Sequence, residues 1–269
     1  MRPLPGRLVL LGHPVSHSLS PRFQNAALRA AGIQLTYETL DVAPDALVET
    51  VSSLRAQRAS GNVTIPHKER FAACCDRLSA LAQRCQAANT FWLDDNLLVG
   101  DNTDVGGVDA VALALLGDDA RRSATVALIG AGGSAAAVLA AAERWGSARV
   151  RVYNRSMDRA HALASRFERV AEVADTPEAA LRDATLVVNA TPVGLRDDAH
   201  PVEVGMLPPN AAVFDLAYRA GETSWVRSAR AAGHRAADGE GMLIEQGALA
   251  FERWFGVQPD RNAMWRAMR

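Results

Sequence analysis

Thr125-Val126-Ala127-Leu128-Ile129-Gly130-Ala131-Gly132-Gly133-Ser134-Ala135 is the stretch that decides the fold. Its first five residues, β-branched or apolar, read as a buried strand. The alanine-rich run 135–145 reads as a helix, because alanine has the highest helix propensity. Between them stands G-x-G-x-x-A. In a strand–turn–helix unit the first glycine allows the sharp turn and the second lets backbone approach a pyrophosphate. The third small residue lets helix and strand pack closely. Free N–H groups and the dipole at the helix start favour that anion. This context on both sides predicts dinucleotide binding at Gly130, Gly132, Gly133, Ser134 and Ala135, where a purely structural turn is the plainer alternative.

The next expected strand, residues 149–153, ends at Asn154-Arg155-Ser156, where an NAD enzyme carries an acid for the ribose 2′-hydroxyl. No acid stands there. Arg155 and Ser156, with Arg159 one turn along the following helix, offer guanidinium and hydroxyl donors suited to a 2′-phosphate, so the expected cofactor is NADP. A solvated helix start is the competing account of the two arginines.

Working outward, short apolar runs alternate with amphipathic segments, the pattern of βαβ units and mainly parallel sheets. A first series begins with a strand at 7–11. A helix follows, with Ser20 as its N-cap and Pro21 at its first position, and Gly32 ends it. Strands near 36–40 and 62–64, helices near 44–54 and from Pro66, and a hairpin over 91–99 turning at Asp94-Asp95-Asn96 complete it. After a helix at 108–116, Gly117 to Arg122 break the periodicity. A second series then runs through strands at 125–129, 149–153, 170–173, 185–188, 212–216 and 234–237, and residues 240–255 form one amphipathic helix. The expected architecture is a two-domain α/β protein: a substrate-binding and catalytic domain over 1–107, completed by the C-terminal helices of 239–269, and a Rossmann domain over 108–238.

A length of 269 residues suits two such cores. The net charge of -1 is spread along the chain without a basic stripe, which argues against a nucleic-acid partner. No apolar stretch is long enough to span a bilayer or serve as a signal-peptide core, so a soluble, cytoplasmic monomer or homodimer acting on a small molecule is expected. Cys74, Cys75 and Cys85 form no CxxC and have no histidine at metal-ligand spacing. They are expected to be small core residues, with no metal site.

Polar clusters punctuate the first series where open α/β sheets present ligands. These are Gly12-His13-Pro14-Val15-Ser16-His17-Ser18-Leu19-Ser20-Pro21, Gly61-Asn62-Val63-Thr64-Ile65-Pro66-His67-Lys68, Ala88-Asn89-Thr90 and Gly100-Asp101-Asn102-Thr103-Asp104. With the glycine turn, Asn189-Ala190-Thr191-Pro192, and Asp238-Gly239-Glu240-Gly241-Met242-Leu243 followed by Gln246, they closely resemble shikimate dehydrogenases, in order from Gly12 to Phe255. The resemblance implies NADPH-dependent reduction of 3-dehydroshikimate to shikimate, towards chorismate and the aromatic amino acids. It implies that Lys68 and Asp104 form the catalytic pair and that Ser18 and Ser20, helped by Tyr218, hold the substrate carboxylate. Thr64, Asn89 and Gln246 would bind ring hydroxyls, and Thr191, Gly239 and Met242 would lie at the cofactor. Gln24 departs from the histidine of many relatives, and Glu240 is an unexplained acid.

The residue types suit that chemistry on their own terms. A ketone accepting hydride develops alkoxide character and needs a donor aimed at its oxygen and a proton to deliver. Lys68 supplies both, and Asp104 beside it favours the ammonium form. A helix start is an unfavourable place for an idle lysine, next to the positive dipole end. Ser20 serves as a cap whatever binds nearby, whereas His13, His17 and His67 read as structural. Two alternatives compete: a paralogue acting on quinate or an amino analogue, with NAD, and a dinucleotide-binding sensor without catalysis. Retention of Lys68, Asp104, Ser18, Ser20 and Thr64 together argues against the sensor.

Overall fold

The computed structural model describes residues 4–219 and 221–269. In chain order the elements begin with β1 (Arg7–Gly12), α1 (Ser20–Ala30), β2 (Tyr37–Asp41), α2 (Leu47–Ala56), β3 (Ala59–Val63), α3 (Lys68–Ala72), β4 (Arg77–Leu78), α4 (Ala80–Cys85), β5 (Thr90–Asp94) and β6 (Leu97–Asp101). They continue with α5 (Asp104–Leu116), α6 (Asp118–Arg122), β7 (Thr125–Ile129), α7 (Gly133–Arg144), β8 (Arg149–Tyr153), α8 (Met157–Ala164), β9 (Ala171–Val173) and α9 (Pro177–Leu181). Then come β10 (Leu186–Asn189), β11 (Ala212–Asp215), α10 (Ser224–Ala231), β12 (Ala236–Ala237), α11 (Glu240–Phe255) and α12 (Arg261–Arg266). The chain divides into two compact units, Met1–Asp104 with Leu243–Arg269, and Val105–Met242.

The sheet of the first unit has the order β2-β1-β3-β5-β6-β4. β1 pairs in parallel with β2 and β3, and its continuous apolar run is buried because layers cover both faces. One core cluster gathers Phe23, Ala27 and Leu28 of α1 with Ile244, Phe251 and Trp254 of α11 and Met264 of α12; a second gathers Leu47, Val51 and Leu54 of α2 with Phe71 of α3. β5 runs antiparallel to both β3 and β6. Asp95 and Asn96, both with positive φ, make the β5–β6 turn whose twist matches the strands. The antiparallel step sets the beginning of β5 beside the end of β3, and Val63 N–H donates to the Asn89 carbonyl at 2.8 Å.

In the second unit the order is β12-β11-β10-β7-β8-β9, parallel throughout. The chain leaves central β7 towards β8 and β9, then crosses back to β10, so the strand order reverses between β7 and β10, where such sheets bind ligands. Ala135 to Ala142 of α7 are all buried, the small side chains permitting close approach to the sheet.

Three local expectations change. Ser20 is the first residue of α1 and Leu19 is its N-cap, one residue earlier than expected; no side chain caps the helix, and the Ser18 hydroxyl accepts the Ser20 N–H at 3.2 Å. The helix expected at 108 starts at Asp104, because an acid in a first turn is favoured by the dipole and the two glycines at 106 and 107 do not break it. Residues 118–122 form short α6, held by Arg121 and Arg122 to Asp118. Among the cysteines only Cys85 is fully buried. Cys74 and Cys75 are half-buried, and burial first, then Cys74, pushes the Cys75 thiol up to about 12. Among the described residues no helix is long and apolar enough to cross a membrane.

Candidate active site

Lys68 opens α3, one short turn beyond β3, and Asp104 opens α5 just beyond β6. Lys68 Nζ donates to Asp104 Oδ2 at 2.6 Å, with side chains 14% and 6% exposed. The other carboxylate oxygen, Oδ1, accepts from Asn89 Nδ2 at 2.8 Å. That amide also lies 3.0 Å from Thr103 Oγ1 and 3.2 Å from Gln246 Oε1. Two amide hydrogens cannot serve three acceptors at full strength, so the longest contact, to Gln246, is the one most readily given up to a ligand. The Thr103 N–H, donating to Asn89 Oδ1 at 2.7 Å, fixes which end of the amide faces Asp104.

The site is braced from below. Tyr37 OH donates to Asn62 Oδ1 at 2.7 Å, and Asn62 Nδ2 donates to the Asn89 carbonyl at 3.1 Å. Asp101, nearly fully buried, accepts from Ser79 Oγ, from Asn102 N–H at 2.7 Å and from Arg253 Nε at 2.8 Å. It thereby ties the loop that carries Asp104 to α4 and α11.

Lys68, Asp104, Asn89 and Gln246 thus meet in one hydrogen-bonded group. Ser18 and Ser20 pair with each other at the head of α1. Half-buried Thr64 sits at the end of β3, its backbone donating to the Leu11 carbonyl and accepting from His67 N–H. Tyr218, half-buried, belongs to the second unit. Among the histidines, buried His67 contacts the Val42 carbonyl through Nε2 at 2.7 Å, and exposed His13 pairs with Asp41 at 2.6 Å.

In the second unit Gly130 has φ +116°, and a Cβ there would stand 2.9 Å from the Ala190 backbone. Only glycine fits this turn. Gly132 is the N-cap of α7; no side chain caps the helix, Gly132 is exposed, and its Cβ position opens on empty space. Gly133 begins α7, with Ser134 half-buried behind it and Ala135 buried. Asn154 Nδ2 holds the Ser156 carbonyl at 2.9 Å; Arg155 and Ser156 are exposed just beyond β8, and Arg159 is exposed in the first turn of α8. An uncapped helix start beside a Cβ-free surface, followed by two exposed guanidiniums just beyond the next strand and in the helix after it, fits a dinucleotide carrying a 2′-phosphate.

Thr191 is held by Asn189, whose Oδ1 accepts the Thr191 hydroxyl at 2.6 Å and its N–H at 3.0 Å. Asn189 Nδ2 donates to Asp215 Oδ1 at 2.8 Å, and Thr223 Oγ1 to Asp215 Oδ2 at 2.7 Å. Asn189, Asp215 and Thr223 are all fully buried. Burial pushes the Asp215 carboxyl up to about 6, against the opposing pull of Thr223, Asn189 and the Ala217 N–H. Gly239 and Met242 are buried near the start of α11, whose first N–H, that of Glu240, is accepted by Asp238 at 3.1 Å. Burial, then Asp238 and Glu222, raises the Glu240 carboxyl.

Sequence reading missed Tyr37, Asn62, Thr103, Asp101 and the Asn189–Asp215–Thr223 group as site supports. The available signals were an acid closing each of the apolar runs 97–101 and 212–215, and an asparagine inside buried β3. A polar residue in such a run needs an internal partner.

Three family models match the chain: the shikimate dehydrogenase substrate binding domain over residues 10–91, shikimate / quinate 5-dehydrogenase over 112–194 and the shikimate 5′-dehydrogenase C-terminal domain over 239–269. Shikimate dehydrogenase (NADP(+)) of Rubrobacter xylanophilus is 43% identical, covering 96% of this chain and 94% of that one. The shikimate dehydrogenase structure from Aquifex aeolicus superposes with a TM-score of 0.92 at 31% identity, over 98% of this chain and 97% of that one. A Thermus thermophilus shikimate 5-dehydrogenase, in complex with NADP(H) and shikimate, gives 0.87 at 40% identity over 97% of each chain. With its two sheets, its Lys68–Asp104 pair and these matches along nearly its full length, the chain belongs to the shikimate dehydrogenase family.

Proposed function

We propose that the chain catalyses the reversible NADPH-dependent reduction of 3-dehydroshikimate to shikimate, with Lys68 and Asp104 as the catalytic pair. The observation that carries this reading is their 2.6 Å contact, inside a mostly buried polar group, in a chain of this family. In this assignment the first unit binds the substrate and the second holds NADP at Gly130, Gly132, Gly133, Ser134, Ala135, Thr191, Gly239 and Met242, with Asn154, Arg155, Ser156 and Arg159 around the 2′-phosphate.

When bound, NADPH supplies the hydride. Lys68 donates a hydrogen bond to the ketone oxygen, stabilises the developing alkoxide and passes it a proton, which completes the alcohol. Asp104 holds Nζ in place and accepts from a ring hydroxyl. Asn89 and Gln246 position the ring hydroxyls, as does the Thr64 side chain, and Ser18 and Ser20 hold the carboxylate. The head of α1 adds backbone N–H groups and the favourable dipole end to the serine hydroxyls.

Following NADP and NAD reduction with shikimate and with quinate tests the reading. The expected outcome is the highest kcat/KM for shikimate with NADP. A preference for quinate with NAD would return the paralogue, and no turnover with any pair would return the sensor.

A further inference from the structure

α1 meets α11 at Gly247. A Cβ at that position would stand 2.4 Å from Phe23 Cε2, so the missing side chain is what lets the two helices touch. There Gln24, fully buried, donates from Nε2 to the Gly247 carbonyl at 3.0 Å. That carbonyl lies inside α11 and has a helical partner available without the glutamine. The other end of the amide, Oε1, is buried with no partner among the described residues. Turning the amide over would face one carbonyl oxygen with another, which fixes the donor on Gly247. An unpaired buried acceptor is a cost that a methionine or leucine of similar size would avoid. Packing alone therefore does not account for a glutamine here.

Gln24 lies one turn beyond Ser20, on the same face of α1, and Gly247 adjoins Gln246, which contacts Asn89. On the other side of α1, Asn25 is bonded to both the N–H and the carbonyl of Tyr37 in β2, at 2.8 and 3.0 Å. Asn25 fixes α1 to the sheet, and Gln24 fixes it to α11. We propose that Gln24 is a positioning residue whose amide sets the separation between Ser18 and Ser20 and the Gln246–Asn89 pair. It thereby matches the site to the span of a hydroxylated ring carboxylate. The proposal rests on the substrate assignments made above.

Steady-state kinetics and thermal unfolding of Gln24→Met and Gln24→His test it, with Gln24→Leu in reserve should the methionine variant fail to fold. Gln24→Met is expected to keep or raise the parent Tm, since the orphaned acceptor is gone. Its KM for shikimate should rise about fivefold or more, the factor one net hydrogen bond can supply, with KM for NADP within about twofold of the parent. Gln24→His, which restores a ring N–H of similar reach, should bring KM for shikimate back towards the parent. A lower Tm with unchanged KM for shikimate, or an equal rise in both KM values, would overturn the proposal while leaving the functional reading intact. A parent chain that does not turn over shikimate would overturn both.

Discussion

Lys68 and Asp104 hold opposite charges 2.6 Å apart with little solvent between them, so each depends on the other. Asp104→Asn keeps the shape and the Asn89 contact while removing the charge. Leaving a half-buried ammonium without its partner is expected to destabilise the fold by about 3 kcal/mol. In kinetics, kcat should fall by about 10²-fold or more with a smaller change in KM. Equal kcat in a folded variant would contradict a catalytic role for the pair. Shikimate oxidation needs the free amine of Lys68, or a water relay behind it, to take the proton. Ser18→Ala is expected to raise KM for shikimate about tenfold, as for one hydrogen bond to a charged group. These residues were nominated in the sequence by compact polar strings and by the family resemblance that those strings carry together. Their supports were not: Tyr37 and Asn62 reach the site from strands distant in the chain from Asn89, and Thr103 meets Asn89 only once the β5–β6 hairpin closes.

At the scale of elements, the β7–α7 turn is the most constrained feature. Gly130→Ala would place a Cβ against Ala190 at a φ that other residues rarely adopt, at a cost of about 1–3 kcal/mol. Thermal unfolding should show a lower Tm and titration a weaker NADP affinity; an unchanged Tm would contradict the strain. On the proposed assignment of Arg155 to the 2′-phosphate, Arg155→Asp should raise KM for NADP about tenfold or more, by removing a guanidinium and adding repulsion, while KM for NAD stays level or falls. The strands and helix of this turn were readable because strand and helix periods change abruptly at Gly130, and 240–255 was readable as one helix because its apolar period never breaks. The head of α1 was misread by one residue: Ser20 reads as the cap, but the backbone already turns helical at Leu19. The start of α5 was misplaced for a similar reason, since Gly106 and Gly107 suggested a loop that tertiary packing overrides.

For the whole molecule, Asp215 links stability to pH. Its carboxyl is raised to about 6 by burial, so the folded state holds a proton that the unfolded chain has released. Its contribution is therefore fully present below about pH 4 and is lost as pH rises through about 6, a change of about 2–3 kcal/mol. Measured against Asp215→Asn, which does not titrate, the parent should gain stability on acidification from pH 7 to about pH 4; parallel profiles would contradict a raised carboxyl. The two-sheet architecture was legible from alternating apolar and amphipathic runs, whereas the partners of Asp215 were not: an acid closing an apolar strand calls for buried donors but does not name Asn189 and Thr223. The account as a whole stands on Lys68 delivering the proton that a reduced ketone needs. Its most direct test is shikimate-dependent NADP reduction by the parent and by Lys68→Ala, both shown to be folded. The account predicts rapid turnover by the parent and a kcat lowered by about 10²–10⁴-fold in the variant, with KM for shikimate changed far less. Equal kcat in the two proteins would contradict it.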